Sequence, residues 1–87
     1  MPEEDKKYSK QLLGKTIVSK TGKRFGEVAD IIFETRTGEL IQIALKNPTM
    51  YTRDLELESS KNGELLIPFS AVIALGDFVV IAEEDII

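Results

Sequence analysis

Cysteine, histidine and tryptophan are all missing from these 87 residues. Without cysteine there is no disulfide framework and no thiolate metal site. Without histidine the commonest metal ligand and the commonest general base are both gone. No apolar run approaches the ~18–20 residues of a membrane span. The opening Met1-Pro2-Glu3-Glu4-Asp5-Lys6-Lys7 has no apolar h-region and is read as no signal peptide, which makes the cytoplasm the expected compartment. Gly14-Lys15-Thr16 lacks the upstream glycine of a P-loop, and Lys20-Thr21-Gly22 lacks the serine-lysine and asparagine companions of a penicillin-binding motif. No serine or threonine has a base partner. The expectation is a protein that is not an enzyme, with no cofactor and no metal. Asp30 and Glu34, with Glu27 nearby, are the best carboxylates for a hard cation. They read more simply as an exposed strand face or a buried acid capping a turn, with Asp30, amid Val28, Ala29, Ile31 and Ile32, accepting backbone N–H bonds from a neighbouring turn.

What is present is β pattern and turn chemistry. The length suits one domain. Residues 1–11 read as a polar tail, 12–82 as the folded domain and 83–87 as an acidic tip ending in Ile86 and Ile87. Lys15 to Ser19 is rich in β-branched residues, which suit a pleated, half-buried surface. Gly22 and Gly38 stand where hairpin turns need a positive φ. Between them Phe25–Thr35 is an apolar run with Gly26 inside it, a mark of a bulge or a close backbone approach. In the third run Ile41, Ile43 and Leu45 alternate with Gln42, Ala44 and Lys46, the period-2 signal of a strand with one buried face. The second run does not alternate cleanly, so either Ile32 or Phe33 faces inward, through a bulge or two covered faces.

After Asn47-Pro48 the pattern lapses. Thr49–Glu58 reads as irregular chain with a short helical turn capped by Thr49, although Arg53, Leu55 and Leu57 also alternate with acids as a strand would. Glu64–Ile67 is a fourth strand ended by Pro68. Val72–Leu75 and Phe78–Ala82 flank Gly76-Asp77, which suits a type II′ hairpin with positive φ at Gly76. Six short strands and little helix predict an all-β fold, a small six-stranded antiparallel β-barrel. The expected core is Ile17, Val28, Ile32, Ile43, Leu45, Ile67, Val72, Phe78 and Val80, with Phe33 as the alternative to Ile32.

The net charge of −4 hides a segregation. Residues 6–24 carry seven basic side chains (Lys6, Lys7, Lys10, Lys15, Lys20, Lys23 and Arg24) and no acid, whereas 25–87 carry four basic and twelve acidic ones. The simpler reading is solvated lysines on a tail and a turn; the sharper one is an anion-facing patch for nucleic acid or an acidic partner. Overall acidity works against non-specific nucleic-acid binding, and only Tyr8 and Phe25 offer rings for base stacking.

Leu13-Gly14-Lys15 with Lys20-Thr21-Gly22-Lys23, then Gly26-Glu27-Val28-Ala29-Asp30-Ile31 and Thr37-Gly38-Glu39-Leu40, resemble the opening half of PRC-barrel domains. Leu66-Ile67-Pro68-Phe69-Ser70-Ala71-Val72 and Leu75-Gly76-Asp77-Phe78-Val79-Val80-Ile81 resemble the closing half. The resemblance covers about residues 12–82 and is strongest to stand-alone archaeal members. It implies a six-stranded β-barrel whose relatives dock to protein or ribonucleoprotein rather than catalyse. It supplies no catalytic residues.

Two functions follow as expectations. The first is a non-catalytic protein-interaction module that associates with itself; the second is an RNA- or ribosome-associated factor in RNA processing or ribosome maturation. The interaction surface is expected among Lys6, Lys7, Lys10, Lys20, Lys23, Arg24, Leu55, Leu57, Ile86 and Ile87. With Leu12 and Leu13, those apolar side chains do not fit the alternating core. In a homodimer the basic arc of one copy would face the acidic C-terminal strand of the other. In the competing arrangement residues 47–63 fold back over the leucines of the same chain and leave a monomer.

Overall fold

A computed structural model describes residues 11–86. Six strands, β1 (Thr16–Ser19), β2 (Arg24–Phe33), β3 (Leu40–Lys46), β4 (Leu65–Pro68), β5 (Val72–Leu75) and β6 (Phe78–Ile81), form one sheet in the order β4-β3-β2-β1-β6-β5. One-turn helix α1 (Met50–Arg53) lies between β3 and β4, and 3-10 turns follow β4 (Phe69–Ala71) and β6 (Glu83–Asp85). The first four strands are an antiparallel meander. The β5–β6 hairpin then returns to the far side of β1, where β6 runs parallel to it. The sheet is therefore mixed and open, which corrects the strictly antiparallel closed barrel. It still curls. Edge strands β4 and β5 are separated in the chain only by the turn Phe69–Ala71, so the two edges must approach each other.

The core lies inside the curl. Leu12, Ile17, Phe25, Val28, Ile43, Leu45, Ile67, Ala71, Val79 and Ile81 form one buried cluster. Five of the nine expected core residues, Ile17, Val28, Ile43, Leu45 and Ile67, are in it. Bulges explain the second run. The β2–β3 register shifts between Val28 and Asp30 and again between Ile32 and Phe33. The first shift turns Ile31 opposite Ile43 and packs it on the core, so neither Ile32 nor Phe33 is the core residue of that stretch. It also turns Asp30 out to solvent, where its Oδ1 accepts from the neighbouring Ile31 N–H at 2.8 Å; it is not a buried acid. Gly26 is the close approach its position suggests. A Cβ there would stand 2.8 Å from the Lys46 carbonyl oxygen and 3.1 Å from Leu45 Cγ.

The β5–β6 hairpin was misjudged from sequence. Val79 and Ile81 are fully buried, while Phe78 is 54% exposed and Val80 and Val72 are half-buried. The inward face of β6 is thus the opposite of the expected one. Positive φ occurs at Gly22 (92°) and Gly38 (75°) as expected, but not at Gly76. The hairpin closes instead with the Gly76 N–H donating to the Phe78 carbonyl at 3.1 Å.

Candidate functional site

The hairpin joining β1 to β2 carries the predicted basic residues, and the fold brings it against α1 and the C-terminal turn. Ser19 is 2% exposed. Its hydroxyl accepts the Lys23 N–H at 3.1 Å and meets Thr21 Oγ1 at 2.9 Å, which fixes the loop 20–22. A bulge opposite Ile17 and Val18 leaves Phe25 outside the paired register. Its carbonyl is satisfied by α1: the Thr49 N–H donates at 3.1 Å and the buried Thr52 hydroxyl at 2.8 Å. Thr49 also caps α1, accepting from the Thr52 N–H, and its hydroxyl donates to the Arg24 carbonyl at 2.8 Å. The helical turn is therefore a clasp on β2, which is why threonines stand at 49 and 52.

Tyr51 is carried over this clasp. Its ring meets the fully buried Phe25 edge-on, with centroids 5.7 Å apart, and Lys23 Nζ lies 5.3 Å above it. The Tyr51 hydroxyl donates to Glu83, and Lys20 forms an exposed ion pair with Glu84. The hydrogen bond from Lys20, reinforced by its charge, holds Glu84 below the ordinary glutamate range and in return raises Lys20. Tyr51 is pushed above the usual phenol range, chiefly by its bond to Glu83. Ser19, Lys20, Thr21, Glu83 and Glu84 enclose a depression of about 250 Å³.

Of the basic residues proposed as a surface, Lys20 and Lys23 are thus engaged with acidic and aromatic groups of their own chain, and Arg24 is exposed beside them. Lys6, Lys7, Lys10 and Ile87, like Tyr8, lie outside the described residues. Leu12 is 3% exposed, and Leu55, Leu57 and Ile86 pack against the core. Residues 47–63 do fold back over the body, so Leu12, Leu55, Leu57 and Ile86 are not apolar surplus, whereas Leu13 is 49% exposed as expected; Ile41 and Met50 are exposed singly elsewhere. Phe25 is core and offers no ring for stacking. Among the described residues Asp30 and Glu34 accept only local backbone N–H groups, from Ile31 and Arg36. Among the described residues no three acids are grouped to hold a metal ion.

Sequence reasoning missed where the apolar surplus does lie. Ile73, Leu75 and Phe78 are 53%, 44% and 54% exposed, all on the β5–β6 hairpin. Outward-facing neighbours extend this surface. Ala74 pairs with Val80 across the hairpin, Val80 with Val18 and Phe78 with Thr16 across β6–β1, and Thr16 and Val18 with Glu27 and Arg24 across β1–β2. The signal was available: β5 and β6 are apolar at every position, which is more than one buried face can use.

A small curled sheet of six strands, with a clasped helical turn and an apolar outer face, is the frame of a compact β domain. The chain belongs to the PRC-barrel domain family, whose model matches residues 4–85. It is 30% identical over 82 residues to an uncharacterized protein of Methanocaldococcus jannaschii, covering 94% of this chain and 88% of that protein. No described helix is long and apolar enough to cross a membrane.

Proposed function

We propose that this chain is a non-catalytic docking module that associates with itself, using the exposed apolar residues of the β5–β6 hairpin. The observation that carries this reading is the exposure of Ile73, Leu75 and Phe78 on one hairpin at the free edge of the sheet, Phe78 on its outer face and Ile73 and Leu75 along the edge strand, since a cluster of exposed apolar side chains marks an interaction site. The depressions beside Lys20 and beside Lys15, about 250 and 100 Å³, are too small for most ligand pockets.

The RNA- or ribosome-associated reading has less to support it. Lys20 and Lys23 meet Glu84 and Tyr51 of the same chain, and the net charge is −4. Sedimentation equilibrium over a micromolar range tests the proposal. A reversible dimer is expected, and a single species of 9.7 kDa at every concentration contradicts self-association. Retarded migration of labelled RNA at moderate salt, with steep loss as salt rises, would favour the RNA reading instead.

A further inference from the structure

The loop that covers the β4 edge carries an Asn62-Gly63 pair, and that pair has a chemistry of its own. A backbone nitrogen attacks the side-chain carbonyl carbon of the asparagine before it most readily when no side chain crowds the approach, and glycine alone has none. The chain has two asparagines, and the structure separates them. Asn47 precedes Pro48, whose nitrogen carries no proton to lose, and its Nδ2 donates to Glu27 Oε1 at 2.8 Å. Asn62 is exposed and precedes Gly63, and among the described residues its side-chain amide has no hydrogen-bond partner. We infer that Asn62 is a site of spontaneous modification, and that one of its two products releases the strand ladder covering β4.

The step balances with water alone. The Gly63 nitrogen loses its proton, bonds to Asn62 Cγ and expels the side-chain nitrogen as ammonia, which leaves a cyclic imide. Water then opens the ring at either carbonyl. One opening gives aspartate. The other gives isoaspartate, in which the main chain runs on through the former side-chain carbon.

The loop sets both the rate and the consequence. Its ladder has the Leu66 N–H donating to the Glu58 carbonyl at 2.8 Å, a bridge between Ser59 and Leu65, and the Ser60 N–H donating to the Glu64 carbonyl at 2.8 Å. Ser60 closes the turn. Its carbonyl accepts the Gly63 N–H at 3.0 Å, and its hydroxyl accepts the Asn62 and Glu64 N–H groups at 3.3 and 3.2 Å. The nitrogen that must lose its proton is thus held by Ser60, so the reaction waits on local opening of the loop. Isoaspartate adds one carbon to the backbone inside the turn, and the closure on Ser60 no longer fits. Aspartate adds a charge but no backbone atom. The β4 edge is therefore uncovered in the isoaspartyl form and stays covered in the aspartyl form.

The natural chain is kept in mildly alkaline buffer, folded or in urea, and followed by peptide mass mapping, with amide hydrogen exchange on the separated products. In the folded sample the peptide holding Asn62 should change from amide to acid about tenfold or more slowly than in urea, while the Asn47 peptide stays as it was. In the isoaspartyl fraction the Ser60 and Leu66 amides should exchange about tenfold or more faster than in the unmodified chain. Freshly purified Asn62→Asp should keep both near the unmodified rate. A folded chain that never converts at Asn62, or converts as fast as in urea, overturns the site or its control by Ser60. An isoaspartyl fraction with Ser60 and Leu66 still protected, or an Asn62→Asp chain that has lost the same protection, overturns the release of the ladder.

Discussion

The β2–β3 hairpin and the β5–β6 hairpin are built from similar residues and treated differently by the fold. In β3, Ile43 and Leu45 are buried and the strand next to it, β4, covers its far edge. In β5, Ile73, Ala74 and Leu75 are exposed, and among the described residues no strand or bridge lies beyond them. The second edge of the sheet is not bare in the same way. Along β4 the Leu66 N–H donates to the Glu58 carbonyl at 2.8 Å, and Ser59 bridges to Leu65. One half of the sheet therefore spends most of its apolar residues on the core, Ile41 excepted, and protects its edge, while the other holds a larger surplus facing water. Apolar side chains kept on an outer face are the residues to connect with docking rather than with folding.

The sharpest way to break this contrast is Ile43→Ala, which should cost about 2–5 kcal/mol because the side chain is fully buried. A loss below about 1 kcal/mol in urea unfolding would mean that the β2–β3 half is not the core. Gly26→Ala should come next, at about 1–3 kcal/mol, because the added methyl meets a backbone carbonyl that has no room to yield. Thr52→Val keeps the shape but removes a buried donor to the Phe25 carbonyl and should cost about 1 kcal/mol. In the other half, Gly76→Ala meets no atom within 4 Å and should change unfolding by less than about 0.5 kcal/mol. A severe loss there would restore the left-handed turn.

The smallest effect is electrostatic. Glu84 sits below its ordinary range when folded, so the folded state takes up its proton at lower pH than the unfolded one. Its contribution to stability is present above the unfolded value and fades as pH falls through the folded one. Lys20 is raised, and its share fades only in strong alkali. Following the Glu84 side-chain carbon by NMR, Lys20→Ala should return the midpoint toward the ordinary glutamate range. No movement would mean the ion pair is absent in solution.

Much of the fold was legible because the turns and the strands around them obey local rules. Gly22 and Gly38 marked turns and Thr49 marked a cap, while the alternation in β3 held only for Ile43 and Leu45 against Gln42 and Lys46: Ile41 is 41% exposed and Ala44 is buried. The faces of β2 and β6 were not legible, for two reasons. Bulges shift parity through tertiary pairing that no local pattern encodes, as at Asp30. In Phe78-Val79-Val80-Ile81 every residue is apolar, so alternation carries no information. The parallel pairing of β1 with β6 depends on how the closing hairpin returns, which turn chemistry does not specify. For the site, Lys20, Lys23 and Arg24 are neighbours on one hairpin by their sequence spacing alone, but the groups that Lys20 and Lys23 engage, Glu84 and Tyr51, lie over 25 residues away in sequence. The leucines at 55 and 57 looked surplus because they break the alternating pattern; their burial follows the competing arrangement, in which residues 47–63 fold back over them, with α1 clasped on β2.

The central claim is that the exposed apolar residues of the β5–β6 hairpin form the docking surface. Its most direct test is a concentration series of ¹⁵N–¹H correlation spectra of the natural chain. The account predicts that amides of Ile73, Leu75, Phe78 and Val80 shift progressively as protein is concentrated, while those of Thr52, Ile43 and Ile67 stay fixed. Shifts confined to the Lys20–Glu84 side or to β4, or no shifts up to the highest concentration reached, would contradict it.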